Sequence, residues 1–549
     1  MAQEPLYREA VIEGVSVPVG CTEADILARA EQKMKRLGAD TGSLHFRLFK
    51  KSVDARKRDD IRLVCSVLCS VPEEKRGFSA EKLAKWGMKP YAPGQLLLGV
   101  GSTVLPARPL IVGMGPAGLF CAYLLAKQGY APIIIDRGGS VTERAAAVGT
   151  FYTRQTLDPD CNIQFGAGGA GTFSDGKLLT RINDPRCAFV LDTLRDMGAP
   201  EDVTVKAKPH VGTDVLRRVV DNLLGEIVRL GGEVIFRCRM DGFDRHPDGT
   251  FTAHTTKGDI PCGLMVLALG HSARDTYEML IGRQMSVIPK PISVGVRIEH
   301  RREDIDTLFY GRLAGHPDLG AAEYNFSDTT GDRGVYTFCM CPGGEVVAAA
   351  SEPESVVVNG MSFRARNSEN SNAAIAVSVR VEDYEPVRGS LPLGAIAFQR
   401  RVERAAFLAG GSDYSVPVQT VGDFLGGNTL DHAPGRVMPS YMGGNHFRIA
   451  RVSDVLPDFA VKGLDRGLRS FDRRMPGYAM KDAVLSAAET RTSAPVRILR
   501  GEDFCALGEP GIYPCGEGAG YAGGIMSAAA DGIRCAEQIL KELRITNHG

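Results

Sequence analysis

The chain has 549 residues, with 65 Lys plus Arg against 65 Asp plus Glu. That length exceeds one hydrophobic core and suggests about three packed units, while the balanced charge excludes a global field that would recruit nucleic acid, an anionic membrane or an acidic substrate. The start, MAQEPLYREA, lacks the basic and apolar regions of a leader, and no apolar run nears the ~20 residues needed to span a bilayer, so a soluble cytoplasmic protein with no membrane partner is expected.

In chain order, residues 1–88 read as a separate small unit. TEADILARAEQKMKRLG has Thr22 as N-cap, Asp25 three places on, an apolar stripe and Gly38 after its end, which predicts a helix. SLHFRLF and IRLVCSVLCSV alternate, which predicts strands. The order strand, helix, strand, strand, short helix points to a ferredoxin-like α+β domain. Between the two alternating runs lies KKSVDARKRDD, with Lys50, Lys51, Arg56, Lys57 and Arg58 offset by three acids. It is either a solvated hairpin loop or a contact for RNA or a phosphate-bearing partner. Residues 89–105, rich in Pro and Gly, read as a linker.

RPLIVGMGPAGLFCAYLLAKQGYAPIIIDRG, residues 108–138, places an apolar strand before Gly113, Gly115 and Gly118, then a helix opening at Pro116 and Ala117, then a second apolar strand ending in Asp136 and Arg137. Gly113 permits the tight turn, Gly115 lets the backbone approach a pyrophosphate at the helix N-terminus, and Gly118 lets helix and strand pack closely. Asp136 stands where a carboxylate takes ribose hydroxyls and disfavours a 2′-phosphate. The ligand is therefore FAD or NAD rather than NADP.

The tail, YPCGEGAGYAGGIMSAAADG at 513–532, favours FAD. A strand delivers Gly516 and Glu517, where a carboxylate can hold a ribityl hydroxyl, and a turn through Gly523, Gly524 and Ile525 opens a helix. Its free N–H groups would stabilise the negative charge of a reduced flavin.

GMGPAGL, NIQFGAGGAGTFSDGKL, KPHVGTD, VLALGHSARD, VGVRIEH, YTFCMCPGGEV, ETRTSAPVRI and CGEGAGYAGGI together resemble the bacterial FAD-dependent dehydrogenase family, and more distantly the glutathione-reductase-type flavoproteins. The resemblance covers nearly the whole chain and implies noncovalent FAD more firmly than any substrate. It implies that Gly168, Gly169, Gly171 and Thr172 lie on a loop near the pyrophosphate and flavin, that Gly270 ends a buried strand leaving the cofactor domain, and that Lys177 is either a charge near the flavin or a surface lysine.

The expected fold is α/β, with a Rossmann-like FAD-binding domain from 106–290 and 481–549 and an inserted mixed α+β substrate domain at 291–480. That insert reads as alternating strands and long glycine-rich loops. No second glycine-triplet unit appears, so NAD(P)H, if it is the electron donor, visits the flavin transiently. Candidate catalytic groups are His300, Glu489, Arg491 and Lys177, beside Arg297, Glu299 and Arg497 as ordinary strand residues or substrate clamps. Thirteen cysteines show no disulfide framework, and neither Cys65 with Cys69 nor Cys339 with Cys341 has the companions of a zinc site. No metal is expected, and the C-x-C spacing differs from the C-x4-C pair of flavin disulfide reductases. The leading function is hydride transfer between a small organic substrate and FAD. The alternatives are a flavin-dependent RNA-modifying enzyme and a non-catalytic FAD-binding regulator. Oligomeric state is not legible.

Overall fold

Thr22 caps the first helix, Glu23–Arg36, through a reciprocal pair of hydrogen bonds with Asp25, and Ile26, Ala30 and Met34 are its buried stripe. The stripe packs on four antiparallel strands in the spatial order His45–Asp54, Arg62–Ser70, Glu9–Pro18, Met88–Tyr91. A short helix, Ala80–Lys85, precedes the last of these strands. That strand carries the small unit to residue 91, past the expected boundary at 88. The computed structural model describes residues 6–91, 105–180, 182 and 184–545, so most of the expected linker lies outside the described residues.

Five strands form an all-parallel sheet in the order Ile512–Pro514, Leu264–Leu267, Pro109–Val112, Ile133–Ile135, Glu233–Ile235. They are short and apolar, and the three central ones are buried throughout, the pattern of a sheet covered on both faces. Gly113 follows the central strand at φ +108°, and a Cβ there would lie 2.2 Å from the Ala268 carbonyl. Only glycine fits that turn. The helix Pro116–Lys127 lies against the last helix, Ile525–Ile545, so closely that a Cβ on Gly532 would meet the Ala117 carbonyl at 2.1 Å. Two segments about 400 residues apart in the chain thus share one layer.

A second sheet has seven strands in the order Ser327–Asp328, Val335–Cys341, Asn370–Val379, Ile292–Arg301, Val484–Glu489, Val416–Thr420, Phe447–Ile449. All its pairs are antiparallel except the last. Val484–Glu489, grouped by sequence with the C-terminal part, belongs here. The strands-and-loops expectation for 291–480 is also corrected, because the segment carries long helices at Leu391–Ala409 and Asp458–Arg474. Among the described residues no helix is long and apolar enough to cross a membrane.

Candidate functional site

A cleft of about 1250 Å³, its open mouth included, lies between the parallel and antiparallel sheets. Its floor holds Gly113, Gly115, Pro116 and Ala117 from the first turn, and Glu517, Gly524, Ile525 and Ala528 from the last. Both helices therefore point their N-termini, and the positive ends of their dipoles, into one space. The Pro116 helix has no side-chain cap, so its first-turn N–H groups remain available to a ligand. The opposite wall carries Phe338, Cys339 and Glu489 from the second sheet, Arg491 and Thr492 just past the end of Val484–Glu489, and Asn359 from the short strand Val358–Met361, with Lys177 on the connecting loop.

Asp136 lines the cleft but is committed to backbone. Its carboxylate accepts from the N–H groups of Met114 at 2.9 Å, Gly138 at 2.8 Å and Gly166 at 2.9 Å. With four oxygen lone pairs it can accept one further bond. A smaller hollow shares Gly113, Asp136, Phe165 and Leu269 with the cleft and continues past them to Arg137 and Met240. Arg137 forks onto Asp275 at 2.7 and 2.9 Å and lies over the Phe165 ring.

Among the expected cofactor residues, Gly169, Gly171 and Gly270 also line the cleft, whereas Gly118, Gly168, Thr172 and Gly516 do not. Those four serve packing. A Cβ on Gly118 would meet the Gly113 carbonyl at 2.0 Å, one on Gly168 the Thr172 hydroxyl at 2.0 Å, and one on Gly516 the Ala117 Cβ at 2.6 Å. Thr172 donates to the Ala167 carbonyl at 3.1 Å. Gly523 is likewise off the lining, and its N–H donates to Ser527 Oγ.

Of the catalytic candidates, His300 is corrected. It is fully buried on the opposite face of its strand from Arg297, bonds the Tyr478 carbonyl at 2.8 Å and packs on that ring. Glu489 and Arg491 reach the cleft, each held from behind. Arg297 binds Glu489 at 2.7 Å, and Glu403 takes a fork from Arg491 at 2.9 and 3.0 Å. Lys177 lines the cleft with its amine 2.7 Å from Asp175, which also pairs with Arg366. In the basic stretch 50–60, whose first five residues belong to the strand His45–Asp54, Lys51 is paired with Asp318, Arg56 with Asp54, and Arg58 with the Thr307 carbonyl.

Several contributors carried no sequence signal. Arg144, fully buried, ties down the 162–167 loop by donating to the carbonyls of Asn162, Ile163 and Ala167. His271 lines the cleft and is held neutral, its pKa driven down to about 3 by burial and by Arg491 and Arg274. Gln164 Oε1, also on the lining residues, is buried without a hydrogen-bond partner.

Glu517 is half-buried at the floor, and its removal from solvent pushes its pKa up to about 7 against the opposing Gly524 N–H and Lys290. A raised carboxylate pKa means that the folded chain holds a proton the unfolded one has released, so stability falls as pH rises from about 4.5 to about 7. Glu517→Gln in flavin-free protein is expected to abolish that fall. Relative to wild type it gains roughly 3 kcal/mol between pH 4.5 and 8, read by urea midpoints at each pH.

A parallel sheet whose glycine turn opens onto a cleft roofed by a mostly antiparallel sheet defines the class: an α/β protein with two helix N-termini facing one cleft. Residues 291–492 match the family model described as FAD-dependent protein, C-terminal domain-like. The chain is 45% identical over 498 residues, 90% of its own length and 92% of the other, to an uncharacterized protein of Clostridium beijerinckii, and it belongs to that protein's family. Among solved structures it is similar to the halogenase PltM, with TM-score 0.35, 10% identity and coverage of 80% and 70% of the two chains. It is similar also to L-proline dehydrogenase from P. horikoshii, with TM-score 0.33, 13% identity and coverage of 79% and 94%.

The residues present fit FAD. Added Cβ atoms on Gly270 and Gly524 would meet nothing within 4 Å, and one on Gly115 nothing nearer than 4.0 Å, so the floor is open to a ligand. The orphaned Gln164 oxygen still lacks a partner, and Glu517 accepts only a long bond from the Gly524 N–H at 3.4 Å, as expected of a wall that meets hydroxyls and amides.

Proposed function

We propose that the protein is an oxidoreductase that holds FAD noncovalently in this cleft and exchanges hydride between it and a small organic substrate. The observation that carries the reading is the convergence of two helix N-termini, at Pro116 and Ile525, on one cavity. The first turn and Asp136 would take the adenosine diphosphate end, with the Arg137 hollow beyond it. Glu517, Gly524 and Ile525 would take the ring end. FAD when bound supplies the two-electron chemistry, and the chain supplies position and charge.

The substrate side is the second sheet. Glu489 and Arg491 are each immobilised by a buried counter-ion, so they orient without moving, and neutral His271 offers a proton site beside them. One all-parallel sheet is present among the described residues, so a nicotinamide donor would have to reach the ring through the open mouth. We read the N-terminal unit as ferredoxin-like, docked on the rest through Lys51 and Arg58.

The test is direct. Purified protein is expected to be yellow, and the chromophore released by heat to co-elute with FAD at close to one per chain. Protein that is colourless and takes up no added FAD in equilibrium dialysis would refute the assignment.

A further inference from the structure

We propose that Cys339 and Cys341 form a two-thiol redox centre that faces the flavin cleft and passes an electron pair between small thiols and the flavin. The proposal rests on the FAD reading above and extends it to a substrate class.

Cys339 lines the cleft and is partly exposed, whereas Cys341 is fully buried behind it. Alternate residues of a regular strand lie about 6.7 Å apart, at the far limit of ~6.8 Å for a disulfide. This strand is not regular. Its register against Asn370–Val379 slips between Phe338 and Cys341, and Cys339 sits at φ +43°. Such a bulge bends the strand. The Cys341 thiol here donates to the Cys339 carbonyl at 3.4 Å, which brings it near enough to the Cys339 thiol for the two to influence each other's titration.

The surroundings favour a thiolate on the exposed member. Arg297 Nη1 bonds the Cys339 carbonyl at 2.8 Å and lies 4.0 Å from Cys341 Sγ. A Cβ on Gly360 would collide with that sulfur, with Arg297 Nη1 and with Asn372 Oδ1, at 2.9, 2.5 and 2.4 Å, so glycine keeps the cluster closed. The hydrogen bond from Cys341 lowers the Cys339 pKa most. Arg297 and Lys177 add to this against burial and Asp175, bringing it to about 5. Glu489 and Glu517 are the other acids that feel its charge. An exposed thiolate backed by a buried thiol is the division of labour of an attacking and a resolving cysteine.

The step balances. The Cys339 thiolate and the Cys341 thiol join in one S–S bond, and their electron pair and the Cys341 proton pass to oxidised flavin, leaving its reduced anion. Two small thiols then restore the dithiol by exchange and leave as their own disulfide.

The experiment uses holoenzyme with its flavin content measured first. In wild type, limited iodoacetamide labelling followed by peptide mass spectrometry is expected to mark Cys339 before the other twelve cysteines, with its rate half-maximal well below the ordinary thiol range. Anaerobic dithiothreitol is expected to bleach the flavin at least tenfold faster in wild type than in Cys339→Ser or Cys341→Ser, and diamide to link the two cysteines within one peptide. Labelling at an ordinary thiol pH, or equal bleaching in all three proteins, overturns the proposal while leaving FAD binding standing. The labelling arm needs no variant, so a misfolded serine variant does not blunt it. Absent flavin defeats the proposal together with the reading beneath it.

Discussion

Glu403→Ala is expected to lower the stability of the protein by about 3–5 kcal/mol, the usual loss when one member of a buried ion cluster is removed. Glu403 is fully buried and accepts from Arg274 at 2.6 and 2.9 Å, from Arg491 at 2.9 and 3.0 Å, and from Thr490 at 2.7 Å. Deleting the carboxylate leaves buried Arg491 with Ser351 Oγ and no carboxylate to pair with, and leaves Arg274 with Glu352 and Gln399 alone. Burial pushes the Glu403 pKa up, but Arg274 and Arg491 outweigh it and hold the group far below the carboxylate range. Its contribution is therefore present above about pH 4.5 and fades only as acid approaches that depressed value. Urea midpoints at pH 7 check the magnitude. A variant within 1 kcal/mol of wild type would show that the cluster does not hold the two sheets together.

Gly115→Val is expected to leave the fold intact and empty the site. Gly115 has ordinary φ of −74°, and the nearest atom to an added Cβ is Gly169 Cα at 4.0 Å. The new methyl groups would instead enter the cleft. Overfilling a packed site costs about 1–3 kcal/mol, or roughly ten- to hundredfold in FAD affinity. Gly113→Val is the contrast, since there the strain at φ +108° and the clash at 2.2 Å fall on the Ala268 backbone. It should lose both fold and flavin. Thermal melting with flavin fluorescence separates the two outcomes, and equal flavin retention by Gly115→Val and wild type would remove the diphosphate from this turn.

What the sequence disclosed followed from spacing. Gly113, Gly115 and Asp136 are brought to one cleft because strand, turn and helix lengths between them are local geometry. Glu517 and Ile525 followed the same logic at the other end. Local patterns said less about partners far along the chain. Nothing in Arg274, in the sequence GHSARD, announces Glu403 on a helix 129 residues later.

The helices at Leu391–Ala409 and Asp458–Arg474 were hidden by their small residues. Gly463 and Gly467 suggest a loop, yet they are the places where Val377 and Val335 press into the helix, with added Cβ atoms 2.8 and 2.6 Å from them. Ser390, which caps the first, and the stripe Ala460, Leu464, Leu468, Phe471 in the second were legible signs. His300 was separable too, because strict alternation along Ile292–Arg301 assigns it the face away from Arg297 and Glu299.

The strand Ile512–Pro514 at the rim of the parallel sheet has a temporal consequence. A ribosome delivers it, and the helix behind it, about 400 residues after the strand Pro109–Val112. Until those residues emerge, the nascent protein has one half of the cleft floor without the other, so a ligand that needs both halves must wait for the later segment.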